Sequence, residues 1–397
     1  MDFGMDFEAE DNIPFLTHFA SVNDPRLKHN KRHNLCDILF IAVCAVLCGA
    51  NHCVAIADFA KARKDWLRLF VPLEGGTPSH DTFSRVLSLL DPKEFELCFV
   101  RWTNAIHETT NGEVVPIDGE VVPIDGKTVR RSFDRATGQS AIHMVSAWGS
   151  ANGITLGQVK VEDKSNEIKA IPKLLEMLDI KGRIVTVDSL GTQKVIAAQI
   201  ISQQGDYMMA VKDNQPHLAA DITAFFERNR ANHFLDGNAD TLPHDCHQTL
   251  DADHGRIEKR KCWCSSVLSD IENATQWKGL QTIVLVESER TYQGRTSLEQ
   301  RYYISSLPMN AKKSLETVRT HWAIENSLHW VLDVTFREDE CRIRKGSGPQ
   351  IKSALNRIVI NLCKTNTTRN VATSRKRNMA SWDDEFLAEL ITGRTKT

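Results

Sequence analysis

The sequence lacks the features that mark a membrane-spanning or secreted protein. Its longest apolar run covers the thirteen residues 38–50, whereas a helix needs about 20 such residues to cross a bilayer. The run also begins far from the N-terminus and has no small-residue cleavage site, which argues against a secretory signal peptide. We therefore expect a cytoplasmic protein without a membrane partner, in which this run forms a buried helix.

The cysteines lack the spacing of a disulfide scaffold or of a zinc site. All ten are scattered along the chain, and several lie in apolar stretches, where a free cysteine behaves as a small hydrophobic residue. His and Cys residues do gather between His244 and Cys264. Cys262 and Cys264 alternate around Trp263 as residues of a strand do, however, and this is not the usual spacing of zinc ligands. Reduced thiols are the simpler interpretation.

The sequence also lacks the basic surplus of many nucleic-acid-binding proteins. Its 49 Lys and Arg residues are balanced by 51 Asp and Glu residues, for a formal net charge of −2. Nucleic-acid binding needs only one basic face, however, and residues 342–377 contain ten Lys or Arg residues and no acid. This stretch is either a solvated helix face or a phosphate-binding surface. The candidates for phosphate contact are Arg342, Arg344, Lys345, Lys352 and Arg357.

The apolar pattern divides the chain into five segments. Residues 1–24 are acidic and irregular, and residues 25–112 predict a helical domain. Residues 113–214 follow the order strand, hairpin, helix, strand, helix, strand. Residues 215–305 form an insertion rich in strands, and residues 306–380 return to helices. We expect an α/β protein whose sheet domain is preceded by an all-α domain and interrupted by a β-rich insertion.

The individual elements follow from periodicity and from turn signals. Helices are predicted at 35–48, 54–69, 81–90 and 92–107 in the first domain, with Ser79 or Asp81 as the cap of the third. In the sheet domain, strands are predicted at 142–148, 154–160, 184–188 and 207–211, and helices at 168–178 and 193–203. The insertion is predicted to hold strands at 257–263, 281–287 and 301–305, and helices resume at 312.

Three acidic residues occupy positions from which their carboxylates can meet. Asp125 and Asp188 each end a short apolar run, and Glu325 lies in a later stretch with helical periodicity. Acids at the ends of two buried strands and on one helix can converge on a single point. Carboxylate oxygens at such a point suit Mg²⁺ or Mn²⁺, and two such ions about 3.5–4 Å apart can flank a phosphodiester. A competing interpretation is that acids at strand ends cap turns.

The helix that carries Glu325 has further polar residues on the same face. Helical spacing puts His321 and His329 one turn to either side of Glu325. Asp333 lies one turn further along and is the alternative third acid.

An exact tandem repeat complicates the assignment of the first acid. The sequence EVVPIDG occupies 113–119 and again 120–126, so that Asp118 and Asp125 occupy equivalent positions. Only one of them can belong to the site. Asp125 leads directly into the predicted hairpin, and we therefore assign the site to Asp125 and interpret the first copy as a lengthened linker.

Six phrases of the sequence resemble, in the same order, the H-repeat-associated transposases of bacterial insertion sequences. These phrases are 33–40, 78–83, 124–128, 164–168, 302–306 and 321–333. The resemblance extends from about residue 25 to about residue 380. It implies an RNase H-like fold and the DDE arrangement, in which Asp125, Asp188 and Glu325 hold two Mg²⁺ or Mn²⁺ ions.

The resemblance also implies the activity and the partners of the protein. The expected activity is metal-dependent cleavage and strand transfer of double-stranded DNA, with a homodimer formed on that DNA and the nucleoid as the place of action. The expected DNA-binding residues are Lys127, Arg130, Arg256, Arg342, Arg344 and Lys345. One departure stands out, because His321 and Val318 replace the Arg and Tyr that related transposases carry near the final acid. The alternatives are a catalytically inactive DNA-binding relative and a host nuclease on the same fold.

Overall fold

Helices from both ends of the chain pack against one large mixed sheet. The computed structural model describes residues 13–27, 31–107, 118–135, 137–162, 167–234, 241–253 and 255–393. The sheet has nine strands, and its combination with the helices confirms the predicted α/β class. No helix within these ranges is long and apolar enough to cross a membrane.

Two of the N-terminal helices begin at residues whose side chains cap them. The side chain of Asn34 accepts a hydrogen bond from the backbone of Cys36, and the side chain of Ser79 accepts one from Thr82. The helix predicted at 54–69 is divided in two, because Arg63 leaves the helical conformation. The bounds are α1 Pro14–Phe19, α2 Leu35–Leu47, α3 Cys53–Ala62, α4 Lys64–Leu67, α5 His80–Leu89 and α6 Pro92–His107.

α1 lies inside the stretch that was predicted to be an irregular arm. Its two phenylalanines, Phe15 and Phe19, are one helical turn apart and buried. They contact Trp102 and Phe95 of α6. The prediction was therefore wrong for this helix, because the acidic composition of the arm concealed one apolar face. Residues 1–12 lie outside the described ranges.

The first five strands form an RNase H-like sheet, as the resemblance implied. β1 pairs antiparallel with β2 and parallel with β4, β2 pairs antiparallel with β3, and β4 pairs parallel with β5. The full order is β3-β2-β1-β4-β5-β9-β8-β7-β6. The bounds are β1 Val121–Thr128, β2 His143–Gly149, β3 Ile154–Val161, β4 Ile184–Val187, β5 Asp206–Val211, β6 His244–Asp253, β7 Arg256–Ser265, β8 Thr282–Tyr292 and β9 Arg295–Ser305.

The strands of the insertion extend the same sheet rather than forming a separate one. β9 pairs antiparallel with β5, so β6 to β9 continue the sheet beyond its RNase H-like part. The remaining helices are α7 Glu167–Met177, α8 Lys194–Ser202, α9 Pro216–Ala231, α10 Ala311–His321, α11 Gly348–Thr365, α12 Thr373–Trp382 and α13 Asp384–Thr392. α7, α8 and α9 share one apolar cluster with the sheet, and α10 packs in another on the opposite face.

α11 is buried from Gly348 to Cys363 and joins the core of the N-terminal helices. Two of its basic residues are part of that interior: Lys352 is 2% exposed and Arg357 is 0% exposed. Arg357 forms an ion pair of 3.3 Å with the buried Glu338. The prediction that Lys352 and Arg357 belong to a phosphate-binding surface was therefore wrong. α12 and α13 contribute to the same core, which is thus built from both ends of the chain.

Candidate active site

Two of the predicted acidic residues lie side by side where the parallel pairing of β1 with β4 ends, although β1 itself continues to Thr128. In the pairing of β1 with β4, Ile124 lies opposite Val187, so that Asp125 and Asp188 are the next residues on either strand. Asp188 turns away from the sheet, and its Oδ1 accepts a hydrogen bond of 3.0 Å from the backbone of Gly191. The parallel register therefore brings the two aspartates to one edge of the strands.

Glu325 reaches the same cavity from the segment that follows α10. A cavity of about 530 Å³ is lined by Glu325 together with the two aspartates. The segment consists of two π-helical turns, Glu325–His329 and Val331–Thr335, where the sequence predicted an ordinary helix. Such turns are rare and recur at functional sites. Ile324 and Leu328 anchor the segment in the helical core, so the position of Glu325 depends on that core.

The carboxylates of this cavity repel one another. Burial is the main cause that raises the pKa of Asp125 to about 7, and the charges of Asp188, Glu167 and Glu325 add to it. Burial also raises the pKa of Asp188, again with a contribution from Glu167. Opposing contributions come from backbone hydrogen bonds, which favour the charged forms. A cluster of this kind is stabilised by any cation that binds between its members.

The donor set fits a hard divalent cation. All the acidic ligands offer oxygen, and Mg²⁺ is held in many enzymes by one or two carboxylates and completed by substrate phosphates and water. No group of three or more His, Cys, Asp and Glu side chains in the described part of the chain is arranged to hold a metal ion by itself.

Two histidines near Glu325 make polar contacts, one with Asp125 and the other with Thr186. Nδ1 of His329 lies 3.4 Å from Oδ2 of Asp125, and Nδ1 of His321 lies 2.9 Å from Oγ1 of Thr186. Burial lowers the pKa of His329 to about 3 and the pKa of His321 to about 4. Both rings are therefore neutral near pH 7. A neutral imidazole can orient a carboxylate without cancelling the negative charge that attracts a metal.

A fourth carboxylate, Glu167, was not among the predicted site residues. It is the first residue of α7, and its Oε1 lies 2.5 Å from Nε2 of His143 on β2. The sequence did contain a signal, because Glu167 stands in one of the six phrases that carry the family resemblance. An acid at the start of a helix is ordinary on its own, and the signal was therefore missed.

The structure separates Asp118 from the other acids. Asp118 precedes β1 and lines a different cavity, together with Lys313. The backbone of the next residue, Gly119, donates a hydrogen bond of 2.7 Å to the carbonyl of Gly182, which precedes β4. Asp118 therefore lies at the opposite end of β1 from Asp125. Residues 113–117 of the first repeat lie outside the described ranges.

Lys127 and Asp333 are engaged with each other rather than with the cavity. Nζ of Lys127 lies 2.7 Å from Asp333, 3.3 Å from Asp339 and 3.7 Å from Glu338. Only 7% of the Lys127 side chain is exposed. Arg130 also pairs with Asp339, but 80% of its side chain is exposed. In this arrangement Arg130 can reach a phosphate, whereas Lys127 serves as a buried counter-ion.

We expect Lys127→Ala to lower the free energy of unfolding by up to about 3 kcal/mol, because it leaves a buried carboxylate with one cation fewer. Arg357 remains as a partner of Glu338, which limits the loss. Urea denaturation measures the effect. Arg130→Ala is the control and should change stability by less than about 0.5 kcal/mol. A Lys127→Ala protein of normal stability but reduced DNA affinity would instead identify Lys127 as a phosphate contact.

The remaining basic candidates lie in two places. Arg342, Arg344 and Lys345 line a cavity of about 1080 Å³ between the helical region and the sheet region. Across the described ranges, no ion pair joins these three to the acidic turn Glu338–Glu340, whose partners are Lys127, Arg130, Arg337 and Arg357. Arg256 begins β7 at the far end of the insertion, and its Nη2 lies 3.2 Å from Glu258.

Two family models match this chain. One is described as DDE_Tnp_1-associated and matches residues 16–103. The other is described as the transposase DDE domain and matches residues 110–362, which is more than half of the chain. The boundary between the two matches lies close to the transition from helices to sheet.

Several proteins resemble this chain over most of its length. Putative transposase YncI of Escherichia coli O157:H7 is 40% identical over 380 residues, which are 95% of this chain and 94% of that protein. H repeat-associated putative transposase YhhI of Escherichia coli strain K12 is 36% identical over 383 residues, which are 95% and 97% of the two chains. A much shorter similarity, 37% over 73 residues, covers 18% of this chain and 87% of a protein named inactive transposase YbfQ, from the same strain.

Among solved structures, the synaptic complex of piggyBac transposase with hairpin DNA is similar to this chain. The match has a TM-score of 0.43 and 12% sequence identity, and it covers 97% of this chain and 79% of the other.

Proposed function

The chain belongs to the DDE transposase family. We propose that it is an active member of this family. In this proposal it cleaves double-stranded DNA at the ends of its element and joins those ends to target DNA. The observation that carries this proposal is the convergence of Asp125, Asp188 and Glu325 on one cavity. They come from three elements that are far apart in the sequence. The half-buried Asp125 and Asp188 repel each other and Glu325, and such repulsion between carboxylates is common at functional sites.

Asp125, Asp188 and Glu325 are the residues that would hold two Mg²⁺ or Mn²⁺ ions. When bound, such ions activate the attacking water or 3′-hydroxyl and stabilise the leaving oxygen of the phosphodiester. The protein contributes the placement of the ligands. His329 orients the carboxylate of Asp125, the turn at Gly191 orients that of Asp188, and the helical core sets the position of Glu325.

The test of this proposal is cleavage of defined DNA. The full-length protein should nick or cut duplexes that carry the inverted repeats of its own element when Mg²⁺ or Mn²⁺ is present, and should leave them intact in EDTA. Preference for these ends over random duplex separates a transposase from a host nuclease. Cleavage of both DNAs at equal rates would support the nuclease instead.

A catalytically inactive DNA-binding relative remains the second candidate, and the tandem repeat is the observation that favours it. Seven extra residues directly before β1 can shift a strand that carries a metal ligand. Binding of element ends without any metal-dependent cleavage, under conditions in which a chain lacking 113–119 does cleave, would establish this alternative.

The DNA partner is proposed to contact Arg342, Arg344 and Lys345. These side chains share one cavity wall and are not engaged by the neighbouring acidic turn, so their charge is available to a phosphate backbone. Arg130 and Arg256 are the further candidates. Two element ends must be held together during transposition, and we therefore also propose a homodimer on the DNA, acting in the cytoplasm at the nucleoid.

Replacing Arg342, Arg344 and Lys345 together with Ala should weaken binding to all DNA sequences alike. Each lost phosphate contact flattens the slope of log affinity against log salt by about 0.9 on duplex DNA, so a change of up to roughly 2–3 is expected. Fluorescence anisotropy at several salt concentrations measures this slope. The control is Lys169→Ala, a change at an exposed lysine of α7. An unchanged slope with reduced thermal stability would assign the three residues a structural role.

A further inference from the structure

Glu167 is held at the edge of the candidate site by a defined set of contacts. Its Oε1 lies 2.5 Å from Nε2 of His143, and Nδ1 of the same ring lies 2.8 Å from Oγ1 of Thr128 at the end of β1. The imidazole is therefore fixed on both sides, and the carboxylate it contacts has little freedom to move. Such a contact uses one oxygen of Glu167 and leaves the second oxygen able to serve another ligand.

The absence of a side chain at residue 126 allows this approach. A Cβ atom added to Gly126 would lie 2.6 Å from Oε1 of Glu167 and closer still to Nε2 of His143. Gly126 directly follows Asp125, so the Glu167 carboxylate rests against the backbone next to the first acid. The sequence thus has glycine where any larger residue would displace Glu167 from the site.

The electrostatics of the cluster agree with this geometry. The charge of Glu167 contributes to the raised pKa of Asp125 and of Asp188, after burial in each case.

We propose that Glu167 is a fourth carboxylate of the site, positioned by His143 and Thr128, and that it supplies an oxygen ligand to a divalent cation bound beside Asp125 and Asp188. This inference rests on the proposed function, since it adds a ligand to the same site. Its structural alternative is an ion pair between Glu167 and His143 that only ties α7 to β2. The two differ in what happens when the carboxylate charge is removed but its shape is kept.

The test is Mn²⁺ binding by the full-length protein without DNA. Isothermal titration gives the affinity, and the rise in melting temperature with Mn²⁺ gives an independent readout. Glu167→Gln removes the charge and keeps the side-chain size, and Gly126→Ala displaces the pair without removing a carboxylate. The matched control is Glu176→Gln, at an exposed glutamate of the same helix. Asp188→Asn reports on the site itself.

Glu167→Gln should weaken Mn²⁺ binding by at least about 10- to 100-fold, the range found when groups that support a metal site are altered. Gly126→Ala should weaken it as well, and Glu176→Gln should match the unmodified protein. If Glu167→Gln binds Mn²⁺ normally but melts at a lower temperature without metal, the ion-pair alternative is correct and the inference fails. Should Glu167→Gln fail to fold, Glu167→Asp replaces it, with weaker Mn²⁺ binding again expected and normal binding overturning the inference.

Asp188→Asn separates failure of this inference from failure of the proposed function. Loss of Mn²⁺ binding in Asp188→Asn together with normal binding in Glu167→Gln would refute only the proposal that Glu167 is a fourth ligand. Normal binding in both variants would refute the proposed metal site, and with it the proposed activity.

Discussion

Asp188→Asn and Glu325→Gln are each expected to reduce metal-dependent DNA cleavage by at least about 1000-fold, while affinity for element ends stays within a few-fold. Each change replaces one carboxylate by an amide of the same shape, which removes a metal ligand's charge. Metal ions contribute several kcal/mol to stabilisation of the transition state, and each 1.36 kcal/mol is about tenfold in rate. Phosphate contacts elsewhere on the protein persist, so binding remains.

Single-turnover cleavage of end-labelled DNA and anisotropy measurements on the same DNA check the two halves of this expectation. Glu316→Gln is the matched control, because Glu316 is exposed on α10 and does not line the acidic cavity. It should cleave at the rate of the unmodified protein. Full activity in either Asp188→Asn or Glu325→Gln would contradict the assignment of the site.

Asp118→Ala is expected to keep at least half of the cleavage activity, whereas Asp125→Ala should lose about 1000-fold for the reasons that apply to the other metal ligands. The two residues stand in identical seven-residue sequences, so their local chemistry is the same. They differ in location, because Asp125 lines the cavity with Asp188 and Asp118 lies at the other end of β1. The same cleavage assay compares the pair.

Deletion of residues 113–119 should leave the protein at least as active as the full chain. The deletion joins Gly112 to Glu120, so Asn111-Gly112 replaces Asp118-Gly119 in front of β1. Gly119 has φ +75°, a conformation that glycine adopts without strain, and the deletion again supplies a glycine there. Inactivation by Asp118→Ala would mean that the second copy is the inserted one, whereas a dead deletion variant would mean that the protein requires both copies.

The fold could be predicted from sequence because its signals are local and repeated. Short apolar runs before Asp125 and Asp188 indicated two buried strands. A glycine-containing turn between the runs 142–148 and 154–160 indicated a hairpin. The same reasoning found the acids, since strand order brings the ends of parallel strands together. The pairing of Ile124 with Val187 then decided how closely the two aspartates meet, and no pattern in a single sequence contains that register.

Three features escaped prediction for different physical reasons. Arg357 is basic and entirely buried, which composition could not reveal because its partner Glu338 is a specific tertiary contact. The π-helical turns at Glu325 depend on packing against the helical core, whereas periodicity alone favours a regular helix. Glu167 could be recognised as a candidate site residue only once His143 and Gly126 were known to lie beside it.

The core that holds Glu325 is completed by the two ends of the chain, and this has a consequence for biosynthesis. α2 leaves the ribosome early, but the buried surface it needs on α11 and α13 is made much later. A product truncated before α11 cannot close this core. Because Ile324 and Leu328 pack in the same core, such a product also lacks the packing that holds Glu325 in place.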